Sequence, residues 1–149
     1  MTHDLEITEF HWLMDMLQTI DVGLVVLDGE YRVKVWNQFM ENHSGMQADA
    51  VRDCVLFDLF TDIPRPWFEK KTRSVFLLKN RCFLNWEQQP YLFKFNNYRP
   101  ITGTENYMFQ NVTISALVTT SGEVNNIFMM IYDVTEIASA RKQLESMGL

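Results

Sequence analysis

Few side chains in this 149-residue chain stand where they could make or break a bond. The two cysteines, Cys54 and Cys82, lie far apart and outside any C-x-x-C pattern, so neither a zinc site nor a disulfide framework is expected. His3, His11 and His43 are too scattered for a metal site, and His43, beside Gly45, reads as a surface residue. Asp58 with Asp62 reads as a solvated helix end rather than an acid and a base. The six glycines occur singly, and neither G-x-S-x-G nor G-x-G-x-x-G is present. No catalytic residue and no metal are therefore expected. Binding is the chemistry that remains: aromatic, Met and aliphatic residues with an occasional amide are the make-up of a small-molecule pocket, and equally of a filled core.

The totals set the frame for whatever binds. A chain of 149 residues suits one domain with a sizeable core. With 47% apolar and 21% charged residues it reads as globular rather than disordered. A formal net charge of −6 argues against nucleic acid or an anionic membrane surface as the main partner. Asp4, Glu6, Glu9 and Asp15 interrupt the start, so no secretory signal is expected. No run approaches the roughly 18 apolar residues of a membrane span. The expectation is a cytoplasmic domain without direct membrane insertion, whose longer parent protein could still be membrane-attached. The sequons Asn42-His43-Ser44 and Asn111-Val112-Thr113 read as chance in such a chain.

The elements that must hold a binding site follow from periodicity. Phe10, Leu13, Met14, Leu17 and Ile20 recur at helical spacing, with Trp12 and Met16 widening the stripe beyond what one contact needs, so Phe10, Trp12, Leu13, Met16 and Leu17 are candidate self-association residues. Gly23 to Leu27 and Tyr31 to Trp36 form a hairpin about Asp28-Gly29, with Tyr31, Val33 and Val35 alternating against Arg32, Lys34 and Trp36. Asn37 caps a helix to Ser44 that Gly45 ends, and short helical pieces follow at Ala48 to Arg52 and Val55 to Phe60. Pro66 starts a helix through Trp67, Phe68, Val75 and Leu78. Cys82 to Trp86 reads as a strand or equally as the frayed end of the preceding helix, and strands are expected at Tyr91 to Phe95, Asn106 to Thr119 and Asn126 to Tyr132, with a loop at Arg99-Pro100 and Gly103. Asp133 and Glu136 have capping-box spacing at the start of a last helix, where Ile137, Ala140, Leu144 and Met147 step by three, four and three like a coiled-coil seam.

That order resembles the PAS family of sensory domains over nearly all of Asp21 to Glu136. The resemblance rests on Val26-Leu27-Asp28-Gly29, Trp36-Asn37, Ser44-Gly45, Leu56-Phe57-Asp58-Leu59-Phe60, Ser121-Gly122-Glu123 and Asp133-Val134-Thr135-Glu136. It implies an α+β fold: a PAS-like five-stranded antiparallel sheet with helices on one face, plus an N-terminal amphipathic helix and a C-terminal coiled-coil-type signalling helix. Residues 1–20 would then be a dimerising or capping helix, 21–136 the PAS domain and 137–149 the start of the signalling helix. Asp133, Thr135 and Glu136 would form the signal junction. The tail Gln143 to Leu149 resembles the segment leading into the GGDEF domain of diguanylate cyclases, which make cyclic-di-GMP, and the junction also resembles those before histidine kinases.

A ligand pocket implied by the resemblance would be lined by Phe39, Met40, Val75, Phe76, Phe109, Asn111, Thr113, Met129 and Ile131. Trp86, Tyr91, Phe93 and Phe95 would add pocket wall or dimer surface. The cofactor is left unknown. Haem sensors of this family usually take a histidine from the long helix, and Pro66 to Asn80 contains none. Phe109-Gln110-Asn111 resembles a motif of the flavin-binding LOV subgroup, but Cys54 falls about two positions early and Ile131 stands where a glutamine is expected. The expected function is a homodimeric sensory domain that reads a small apolar or aromatic ligand, or a partner, and controls a C-terminal output, a diguanylate cyclase first among the candidates. The alternatives are a ligand-free protein-interaction and dimerisation module, or the sensor of a histidine kinase.

Overall fold

The sheet is built from two hairpins that meet in the middle, with a fifth strand added at one edge. The computed structural model describes residues 2–96 and 106–148. Its elements run α1 (Thr2–Thr19), β1 (Gly23–Asp28), β2 (Val33–Trp36), α2 (Gln38–Ser44), α3 (Ala48–Val51), α4 (Leu56–Leu59), α5 (Arg65–Leu78), β3 (Cys82–Leu84), β4 (Gln110–Val118), β5 (Val124–Asp133) and α6 (Thr135–Ser146). The strands form one sheet in the order β2-β1-β5-β4-β3, antiparallel throughout. β5, the longest strand and the richest in β-branched and Met residues, pairs with β1 on one side and β4 on the other.

The pleat sorts the side chains. Val25, Leu27, Val112, Ile114, Ile127, Met129 and Ile131 point to one face and are buried with Met40, Leu56, Phe68 and Val75 from the helices packed over them. Asn37 stitches the entrance together. Its Oδ1 accepts from the N–H of Leu24 at 3.0 Å and caps α2 through Met40 N–H, and its Nδ2 donates to the carbonyls of Val22 and Leu17. Gly45, at φ 75°, ends α2 in the left-handed conformation that favours glycine.

Several sequence expectations need correction. The hairpin alternation fails because Tyr31 itself takes a left-handed conformation (φ 65°) and the register shifts between Val26 and Leu27. Strand β2 therefore starts at Val33, with Val33 and Trp36 buried and Val35 exposed. Tyr91 to Phe95 is not a strand. Leu92, Phe93 and Phe95 are buried there, but the backbone N–H groups of Leu92 and Phe93 go to the Gln110 side chain instead of a ladder. Strand β3 stops at Leu84, and β4 begins at Gln110 rather than Asn106, with Tyr107 in an isolated bridge to Asn96. The loop expected at Arg99-Pro100 and Gly103 lies outside the described residues.

Candidate functional site

Three places receive the nine residues expected to line one pocket. Phe39, Met40, Val75, Met129 and Ile131 do meet in the compartment between the inner face of the sheet and the helices, all of them buried. That compartment is tightly filled at Gly23, where a Cβ would come within 2.7 Å of Met40 Sδ, 3.0 Å of Ile131 Cβ and 3.1 Å of Phe39 Cδ1. Phe109, Asn111 and Thr113 are on the other face. Asn111 pairs with Tyr132 and Thr113 with Met130 across β5, Asn111 Oδ1 accepts the N–H of Trp86 at 3.0 Å, and Phe109 packs edge-on against Trp86. Phe76 leaves the compartment as well and lines a surface cleft beside Tyr31.

The buried amide of β4 is Gln110, one position from the expected one. Its Oε1 accepts from the N–H groups of Leu92 (3.1 Å) and Phe93 (3.0 Å), and its Nε2 donates to the carbonyl of Phe93 at 2.7 Å. One side chain thus stands in for a strand neighbour and holds an irregular segment against the core. The signal was present in the sequence, since Gln110 shares its alternation phase with Met108, Val112 and Ile114, the more apolar set. Phe93 and Phe95 stack at 5.6 Å within the core, so the aromatic band expected with Trp86 and Tyr91 is divided. His43 is half-buried rather than a surface residue, its ring 4.3 Å from that of Phe39 and 6.0 Å from that of Phe95.

The junction after β5 is closely hydrogen-bonded. Asp133 Oδ1 accepts both the N–H (3.0 Å) and the hydroxyl (2.6 Å) of Thr135, and Thr135 Oγ1 accepts the N–H of Phe109 at 3.0 Å. Val134 N–H donates to the carbonyl of Phe109 at 2.9 Å. The start of α6 is therefore tied to the start of β4 through buried Thr135. The N-cap of α6 is Val134, so Asp133 acts one residue earlier than a capping box would place it. Beyond the junction Ala138 is buried, while Ile137, Ala140, Leu144 and Met147, the seam residues, face solvent, Leu144 at 51% and Met147 at 70% exposure. On α1, Phe10, Trp12, Leu13, Met16 and Leu17 are likewise exposed, Trp12 at 59%.

Among the described residues no three His, Cys, Asp or Glu side chains come together to hold a metal ion. Burial pushes the Cys82 thiol above its ordinary value, which leaves it a poor nucleophile. Cys54 Sγ is turned toward the Ala50 carbonyl, and Asn111 faces away from the compartment that a flavin ring would have to enter, so the residues do not fit the LOV arrangement. No helix among the described residues is long and apolar enough to cross a membrane.

No protein-family model matches the chain, and no curated protein sequence does. Solved structures do match. A sensory box sensor histidine kinase from Vibrio cholerae is 17% identical, with 91% of this chain and 99% of that one covered and a TM-score of 0.61. The PAS domain of Bordetella pertussis BvgS is 15% identical over 95% and 97% of the two chains, with a TM-score of 0.63. An RNA-binding light-oxygen-voltage receptor is 16% identical, with a TM-score of 0.66 over 93% of this chain and 36% of that one. The five-stranded antiparallel sheet with its helices is the PAS fold.

Proposed function

We propose that this chain is a PAS sensory domain of a signalling protein, one that passes a change in its sheet and core to a C-terminal output through Asp133, Thr135, Glu136 and α6. Residues 1–20 act as the dimerising helix, 21–136 as the sensing body and 137–149 as the start of the signalling helix. The observation that carries this reading is the knot of hydrogen bonds joining Thr135 to both Asp133 and Phe109. A displacement of β4 against β5 has to move the first turn of α6, whose apolar seam is exposed for a partner helix.

A diguanylate cyclase is the output supported by the stretch from Gln143 to Leu149, and a histidine kinase is supported equally by the sensor kinase of like fold. The close packing about Gly23 favours a second reading, in which nothing binds between sheet and helices and the domain works as a dimerisation and interaction module.

The relay is tested by joining this chain in heptad register to a diguanylate cyclase or a histidine kinase output domain. Thr135→Val is expected to change product formation by at least several-fold while the domain stays folded; unchanged output in both fusions sinks the relay. Native mass spectrometry of freshly purified protein separates the two readings, since a retained small molecule supports the sensor and a bare chain indifferent to a metabolite panel supports the interaction module.

A further inference from the structure

A large open cavity among the described residues lies outside the sheet–helix compartment, between the β1–β2 turn and α5. It has a volume of about 640 Å³, within the range of small-molecule sites. Tyr31, Val55, Phe76 and Leu77 supply its apolar surface, and Glu30, Arg65, Glu69 and Arg73 its charged rim.

Its floor is preorganised. Tyr31 holds a left-handed backbone (φ 65°) that a bulky residue adopts only when its surroundings enforce it. Its N–H donates to the Asp28 carbonyl at 3.0 Å, its carbonyl accepts from Leu56 N–H at 2.8 Å, and its hydroxyl meets Thr72 Oγ1 at 2.8 Å. Its ring packs against Phe57, Phe68 and Phe76.

The rim has a definite charge balance. Glu69 is engaged by Arg65 at 2.7 Å, and Glu30, also in the lining, by Arg32 at 2.8 Å. The Arg65 guanidinium is further held over the Phe57 ring at 5.0 Å. Arg73 makes no ion pair or hydrogen bond among the described residues, so it is the uncompensated charge at the cleft. Phe76 and Leu77 place apolar surface beside it, Leu77 at 72% exposure.

From this we infer that the cleft binds a small amphipathic carboxylate, its apolar body against Tyr31, Phe76 and Leu77 and its carboxylate on Arg73. A planar carboxylate matches a free guanidinium fork, and a neutral analogue of the same shape loses that contact. The site is separate from the core compartment and from the junction, so binding here stands or falls apart from the relay.

The test is a titration of the ¹⁵N-labelled chain with 2-naphthoate, followed by amide chemical shifts, with 2-naphthamide as the uncharged control. Saturable shifts confined to Gly29, Tyr31, Arg73 and Leu77 are expected, with affinity at least five-fold lower for 2-naphthamide and at least five-fold lower in Arg73→Gln. A second variant, Leu77→Asp, places a like charge on the wall of the cleft and should abolish the shifts. Both substitutions are at exposed positions, and the same spectra report whether each variant is folded. Shifts centred on α1 or the outer sheet face overturn the inference, as do equal affinities for acid and amide, unaltered affinity in Arg73→Gln, or no shifts at the solubility limit.

Discussion

The two faces of the sheet are made of similar residues and meet opposite fates. On the inner face Val25, Leu27, Val112, Ile114, Ile127, Met129 and Ile131 are buried under the helices of the same chain. On the outer face Val26, Phe128 and Met130 are only half-buried, and Val35, Phe83 and Leu117 are exposed. The terminal helices belong with the outer face, since α1 and α6 both turn apolar side chains to solvent. The inner side is complete within one chain. The outer side carries apolar surface that the described residues leave open, the condition that favours a partner.

The largest expected effect is on the complete side. Ile131→Ala should destabilise the fold by about 2–5 kcal/mol in urea unfolding, because it opens a cavity among residues that cannot collapse far. Leu144→Ala on α6 should stay within about 0.5 kcal/mol; a comparable loss there would mean that α6 is already partnered in the isolated domain.

Gln110→Leu comes next. It leaves the N–H groups of Leu92 and Phe93 without their partner, at about 1–3 kcal/mol for each group left unpaired, while the Phe93 carbonyl keeps the N–H of Phe95. Asn111→Leu, which removes one bond on the outer face, should cost about 0.5–1.5 kcal/mol. Equal losses from the two amides would break the distinction between the faces.

Gly23→Ala probes how full the inner compartment is. The new Cβ would force Met40 and Ile131 apart, for an expected loss of about 1–3 kcal/mol. A neutral or stabilising outcome would show spare room beside the core.

A gentler probe is pH. Burial raises the Tyr31 phenol above its ordinary value of 10.0, and the hydrogen bond with Thr72 only partly opposes this. The folded state therefore holds its proton more tightly than the unfolded state. Stability is unaffected below pH 10 and falls as pH rises from there through the folded-state value. Thermal unfolding between pH 9 and 11 should show this decline, and Tyr31→Phe should lessen it.

The smallest effect on folding and the clearest on assembly is expected from Trp12→Glu with Met16→Glu. Both residues are exposed, so the stability of the single chain should move by less than about 0.5 kcal/mol. Light scattering should nevertheless report a fall from dimer to monomer mass. An unaltered mass would move self-association to the seam of α6 or to the open sheet face.

Most of the element order was legible because it depends on local chemistry. Proline at the start of α5, Gly45 after α2 and the apolar run of β5 each carry their own signal. The candidate pocket was less legible. Phe109, Asn111 and Thr113 follow a correct period of two, but the inner face belongs to the opposite phase, and a shift of one residue transfers every side chain. The segment from Tyr91 to Phe95 has the composition of a strand, and only the side chain of Gln110, far along the chain, decides that its backbone is satisfied without one.

By itself, then, the sequence determined the order of most helices and strands, which stripes are apolar and that Asp133 and Thr135 open the last helix, because propensity, capping and periodicity act over a few neighbouring residues. Tertiary structure decided which face of each strand is inside, that Tyr31 bends into a left-handed turn over a surface cleft and that Thr135 reaches Phe109. Those outcomes depend on contacts between residues distant in sequence, where packing and the pairing of buried polar groups override local preference.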